Sequence, residues 1–435
     1  MTLPIFLLHG IVVISIFGSF IKTLVEIVGV GNFIPVLRDV LIFGLSIYGL
    51  LNLKKSTATR VSSGMLAALV FVILYLAVAV VTNEIIAGIY YLRIYLIPFL
   101  FYVGALGIFD SRKNTNKYRV YLKFIINFNF LLFFASLAIY IFLELNPQFR
   151  IVFFGTDFLP SAWFISGGTW MRMGLPATGP NTLGIIFSFN AFLFITTHLT
   201  KQKFSKNLSI SNKLLLFSIF TSLLGLMLTF SRSSMLLLLV SVPILITSRG
   251  VMTSKLFKKY SFISFCMAIL LLSIIFFVDE WSDGYLSVWF TLNTKFSDPS
   301  IVGHFSSIDS AVNNLNEYLL WGYPKGTVGP KAEIFHGVLH NVENTFLSVL
   351  YDMGIFAGLL YFATVILFYA SGFKNKFQLF LVVGFLPPLF LLPYVFEIDV
   401  LIYFSYIYIY LGLIGGRRNH HKEIGPPIGI NMSRC

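Results

Sequence analysis

Apolar runs, most of them about 20 residues long, recur from one end of this chain to the other and leave little choice of architecture. A bilayer core about 30 Å thick is crossed by roughly 20 apolar residues in a helix, so each run reads as a crossing. Their approximate extents are 4–21, 33–53, 65–82, 86–108, 121–143, 181–199, 214–230, 234–248, 260–278, 344–371, 377–395 and 399–414, about twelve spans by that criterion. The 234–248 run is short and the 344–371 run is long, so tilt can redistribute length between neighbours. The expectation is an all-α integral membrane protein, a single polytopic domain over 1–435.

Composition excludes the other classes. Of the 435 residues, 57% are hydrophobic and 11% are charged, where ordinary globular chains carry about 25% charged residues. Mean hydropathy is +0.85. A surface in water could not be covered by so few polar groups, which removes soluble, disordered and coiled-coil folds. Cys266 and Cys435 are the only cysteines, too few for a disulfide framework. The stretch from Met1 to Phe20 has no basic n-region and no small-residue cleavage pattern, so it reads as a retained first span.

Basic residues follow alternate spans: Lys54, Lys55 and Arg60; Arg112 to Arg119; Lys201 to Lys213; Arg249 to Lys259; Lys374 and Lys376; and Arg417 to Arg434. Lysine and arginine in short loops are retained on the cytoplasmic side, so both termini are expected there. The net charge of +13 follows from that topology and from anionic headgroups; nucleic acid is not an expected partner. On the opposite side the loops are longer, one from about Glu144 to Pro180 and a larger one over 279–343, in which acids outnumber bases. Loops of this length usually bind, cover or catalyse something. No internal repeat stands out, which argues against an inverted-repeat transporter.

Several residues could carry chemistry on that side. Arg232, in Thr229-Phe230-Ser231-Arg232-Ser233-Ser234, puts a guanidinium at the membrane surface against the topology signal, and its planar fork suits diphosphate oxygens. The same arginine could simply snorkel, with the serines capping a helix. Thr178-Gly179-Pro180-Asn181-Thr182 opens the sixth span, where backbone amides could hold an anion or merely start a helix. Glu343 and Asn344 stand at the mouth of the tenth span. There a carboxylate could take a proton from a sugar hydroxyl, or Asn344 could be an N-cap and Glu343 could favour the helix's positive end. His340 competes for the base role. Asp352 lies two turns into the span, where an ionisable group is costly, and could pair with Arg38 or Arg93 inside the bundle. Asp279, Glu280 and Asp283 beside Trp281 read as a membrane-edge group; no metal is expected.

Pro180-Asn181-Thr182-Leu183-Gly184, Leu228-Thr229-Phe230-Ser231-Arg232-Ser233, the outer-loop Trp321-Gly322-Tyr323-Pro324-Lys325-Gly326 and Glu343-Asn344-Thr345-Phe346-Leu347 through Gly354 and Gly358 come in one order along the chain. Together they resemble the O-antigen ligase and polymerase superfamily. The resemblance implies a C-type membrane glycosyltransferase acting on undecaprenyl-diphosphate-linked glycans at the periplasmic face of the bacterial inner membrane, without a cofactor. The family's ligases usually carry histidine where this chain has Glu343, so the likeness is to Wzy-type polysaccharide polymerases more than to WaaL-type ligases; His340 keeps the ligase reading open. Under this reading Arg232 stabilises the departing diphosphate, with Arg172, Arg150 and Lys325 as loop contributors and Asn181 and Asn344 as further substrate contacts. Glu343 is the preferred base over His340. The implied partners are lipid-linked oligosaccharide, membrane lipids and a chain-length regulator. A lipid-linked glycan flippase is the alternative from another class.

Overall fold

The computed structural model describes residues 3–26, 33–110, 116–150, 164–165, 170–204, 210–248, 306–309, 311–313, 319–323, 325, 328, 342 and 344–415. Eleven α-helices dominate these residues: α1 (Leu3–Glu26), α2 (Phe33–Asn52), α3 (Lys55–Val81), α4 (Ile85–Asp110), α5 (Asn116–Leu145), α6 (Pro180–Phe204), α7 (Asn212–Thr229), α8 (Arg232–Thr247), α9 (Thr345–Ser371), α10 (Lys376–Leu391) and α11 (Ile398–Gly415). Eight are long and apolar enough to cross a membrane, and α8, α10 and α11 are shorter apolar helices. A two-residue antiparallel pair, β1 (Phe164–Ile165) with β2 (Trp170–Met171), lies in the α5–α6 connection. Eleven of the twelve expected spans coincide with helices, while 260–278 lies outside the described residues, as does most of the 279–343 loop.

Helix ends depart from the apolar runs where polar residues extend a helix past them. α3 starts at Lys55 instead of 65, and in its polar first turns the hydroxyls of Thr59, Ser62 and Ser63 donate to the carbonyls of Lys55, Thr59 and Arg60. α10 stops at Leu391, short of 395, where Pro393 and a 3₁₀ turn over Tyr394–Phe396 intervene before α11. α9 is broken at Gly354 (φ 69°, ψ 179°), so the long tenth run is two helical pieces.

Burial sorts the helices. In α4 and α6, 83% of the apolar window is buried, against 28–39% in the other long helices, and α11, buried from Ile402 to Gly412, packs against both. A polar knot ties four helices across the bundle: Asn129 (α5) donates to Thr221 (α7) at 2.9 Å and accepts from Asn190 (α6) at 3.0 Å and Ser222 (α7) at 2.9 Å, while Tyr403 (α11) donates to Asn190. In an apolar solvent such bonds hold helices together that hydrophobicity alone would not.

Contacts at the helix ends define two ends of the bundle. At one, the Asp110 carboxylate at the end of α4 takes the Lys54 N–H and lies 3.6 Å from Lys54 Nζ and 3.9 Å from Lys374 Nζ; Asn375 caps α10 and bonds the Leu411 carbonyl. The other end gathers the starts of α6, α8, α9 and α11 and carries no comparable group of lysines among the described residues.

Candidate functional site

The α7–α8 junction is two residues long. Phe230 sits in the left-handed region (φ 50°, ψ 32°) and Ser231 is the N-cap of α8, so the chain reverses and Arg232 becomes the first residue of a helix. The beginning of α6 packs against this corner because residue 184 is glycine: a Cβ there would lie 2.7 Å from that of Ser231 and 2.9 Å from Ser234 Oγ. Ser231 Oγ donates to Asn181 Oδ1 at 3.1 Å, Ser234 Oγ donates to the Asn181 carbonyl at 3.2 Å, and the Ser231 and Ser234 hydroxyls are 2.6 Å apart. Two helix N-termini, with their partial positive charge, thus meet at one point.

Arg172, from the connection that precedes α6, closes the corner. Its Nε donates to Thr229 O at 3.0 Å and its Nη2 to Asn181 Oδ1 at 3.0 Å and Phe230 O at 3.4 Å, so one guanidinium caps the last carbonyls of α7 and grips the start of α6. Burial and then the Arg232 charge pull Arg172 down to about 10, with Tyr394 opposing. It remains a cation at neutral pH. Two guanidinium groups that feel each other beside two helix starts favour an anion with several oxygens. A narrow cleft, lined by Ser136, Tyr140 and Leu143 of α5 and by Met171 to Leu175, runs to Arg172.

The α10–α11 junction completes this end, and the sequence reading passed over it. Tyr394 O–H reaches the Asn181 carbonyl at 3.5 Å. Glu397 accepts from Thr178 Oγ1 at 3.0 Å and Thr182 Oγ1 at 3.4 Å. Burial holds its carboxyl above the usual range, and the two threonine bonds oppose that shift. The available signal was a carboxylate at the edge of an apolar run, four residues after Pro393.

The remaining expected residues go to different places. Asn344 is the N-cap of α9: its Oδ1 accepts from Phe346 and Leu347 N–H at 2.9 and 3.0 Å, and its Nδ2 donates to Phe390 O at 2.8 Å. The capping alternative therefore describes it. Arg150 donates to Leu143 O at 3.0 Å and Glu144 at 2.8 Å. Lys325 is fully buried, with Nζ on the Asp352 backbone carbonyl and 4.7 Å from the centre of the Tyr75 ring. Burial lowers its pKa, with Asp352 and Glu84 opposing. Asp352 meets neither Arg38 nor Arg93 in a hydrogen bond; its Oδ2 accepts from Tyr75 at 2.9 Å and Tyr95 at 2.7 Å. Arg38 bonds Asp399 at 2.9 Å and Asp39 at 3.1 Å, and Arg93 bonds Asp39, which is the structural pairing those arginines suggested. Glu343, His340 and the acids Asp279, Glu280 and Asp283 lie outside the described residues.

Residues 217–362, about a third of the chain, match the Wzy_C family model, described as O-antigen ligase. This supports the O-antigen ligase and polymerase superfamily. The Wzy_C segment takes in α7 from Phe217 onward, α8 and the first two-thirds of α9, with Arg232, Glu343, Asn344 and the Gly354 break, while Arg172, Asn181, Tyr394 and Glu397 lie outside it. The match does not separate polymerase from ligase. No curated protein and no solved structure matches.

Proposed function

We propose that the chain is a polysaccharide polymerase of the O-antigen type, joining undecaprenyl-diphosphate-linked repeat units at the periplasmic face of the bacterial inner membrane. The observation that carries the reading is the corner where Arg172 and Arg232 adjoin the starts of α6 and α8. A glycan on a lipid diphosphate is already activated, so the protein must neutralise the departing diphosphate, hold two lipid-borne substrates together and accept a proton from the attacking hydroxyl. Arg232 and Arg172 take the first role, and Asn181 orients Arg172 through the 3.0 Å bond.

Glu343 takes the base role, with His340 as its competitor. The support is one of connection: Asn344 and Thr345 bond the Phe390 and Leu392 carbonyls at 2.8 and 2.6 Å, and two residues later Tyr394 reaches Asn181. The residue before Asn344 therefore joins a segment fastened to the junction that borders the arginines. Arg150 and Lys325 have no part in the transfer itself in this proposal, since their donors go to Glu144 and to the Asp352 carbonyl.

The test is the glycan profile of a deletion strain carrying the wild-type gene or the Arg232→Ala, Arg172→Ala or Glu343→Gln variant. Each inserted variant is expected to yield glycans of a single repeat; long chains from all three would defeat the role assignment. The ligase reading is favoured by the description of the Wzy_C family as O-antigen ligase. It expects chains that still lengthen in the deletion strain but fail to reach the lipid A core.

A further inference from the structure

The break in α9 is bound to a short piece of the large loop. A helix interrupted inside an apolar bundle frees backbone groups that must find partners. At Gly354 those partners come from residues 319–323: Ile355 N–H donates to Leu319 O at 2.7 Å, and Tyr323 N–H donates to Tyr351 O at 2.7 Å. The approach needs glycine on both strands, since Gly322 (φ 81°) and Gly354 are in the left-handed half of backbone space and a Cβ on Gly322 would lie 2.7 Å from Asp352 O and from Gly354 N. Tyr323 stacks on Tyr351 with centroids 5.0 Å apart, and Trp321 packs on Phe356 at 5.6 Å.

Lys325 fastens the strap. Its ammonium lies on the Asp352 carbonyl and over the Tyr75 ring, while Tyr75 and Tyr95 hold the Asp352 carboxylate from α3 and α4. The first third of α9, Thr345 to Met353, is therefore pinned twice. At its start Asn344 and Thr345 hold α10 carbonyls or those just beyond it, and at its end the strap replaces the lost helical bonds.

We infer that Lys325 is a positioning residue for the transfer reaction: by holding the 319–323 strap against the broken turn, it fixes the direction of the α9 piece that precedes Gly354 and with it the Asn344 mouth, next to which the proposed base Glu343 comes in the sequence. The inference rests on the polymerase reading for the role of Glu343. It assigns to Lys325 no contact with substrate.

Two readouts on full-length protein in detergent test it, with Lys325→Met retaining the apolar stem and Lys325→Arg retaining a cationic donor. The first is amide hydrogen exchange in peptides covering 319–325 and 351–356. Lys325→Met is expected to exchange there at least tenfold faster than wild type, and Lys325→Arg close to wild type. The second is steady-state elongation of an undecaprenyl-diphosphate-linked repeat unit. Lys325→Met is expected to lower kcat by at least tenfold with KM within twofold of wild type, and Lys325→Arg to keep more than half of kcat. Wild-type exchange or wild-type kcat in Lys325→Met, failure of Lys325→Arg to rescue, or a loss confined to KM would overturn the inference. Wild-type turnover in Glu343→Gln would overturn the reading on which it rests, and would do so without changing the exchange result.

Discussion

Arg172 is bound to three backbone and side-chain oxygens, and in the proposed function the same side chain also carries chemistry. Its bonds to Thr229, Phe230 and Asn181 use the spread of the guanidinium fork, which a lysine ammonium cannot reproduce. Arg172→Lys is therefore expected to lose activity almost as completely as Arg172→Ala, by about 10²–10³-fold if the group stabilises charge in the transition state; elongation assays on the two variants check this. Glu397 gives a pH signature. Its folded pKa is raised, so its contribution to stability is fully present below the unfolded pKa and is lost as pH rises through the folded value. Thermal melts between pH 4 and 8 should show wild type losing stability relative to Glu397→Gln as pH rises, and a difference that stays constant with pH would refute it. Arg232, Asn181 and Glu343 stood out in the sequence because each interrupts an apolar pattern at a span mouth. Tyr394 and Glu397 did not, because their partners Asn181, Thr178 and Thr182 are more than 200 residues away and only the folded bundle brings them together.

Helices were the most legible elements, since hydropathy reports the solvent that surrounds them. Their polar extensions and breaks were less so: the 344–371 run looked unusually long, but its break depends on a loop strap that hydropathy does not register. The corner between α6 and α8 depends on Gly184, where Ser231, Thr229 and Ser234 leave no room for a side chain. Gly184→Val is expected to separate the two helix starts and abolish elongation while α9 and its strap keep their amide protection; retained activity would show that the corner tolerates separation. Removal of the α9 cap is a milder change. Asn344→Ala should cost about 1 kcal/mol from the lost bonds to Phe346 and Leu347, together with the tie to Phe390. A thermal melt that does not move would contradict the capping role.

At the scale of the whole molecule, the two ends of the bundle differ in kind. Lys54, Lys374 and Asp110 mark one; Arg172, Arg232, Tyr394 and Glu397 mark the other. We propose, from the positive-inside rule, that the first end faces the cytoplasm. With Cys266 and Cys435 replaced, Thr178→Cys should react with a membrane-impermeant maleimide in intact spheroplasts, and Ser56→Cys only after permeabilisation; the reverse pattern would invert the orientation. The central claim, that Arg172 and Arg232 stabilise a departing lipid diphosphate during glycan elongation, is tested most directly by reconstituting the purified protein in liposomes with a labelled undecaprenyl-diphosphate-linked repeat unit and resolving the product lengths. Wild type is expected to give a ladder, and the Arg172→Ala and Arg232→Ala variants only the starting unit. A ladder from the double variant, or wild-type protein that moves the labelled lipid across the bilayer without lengthening it, would contradict the account.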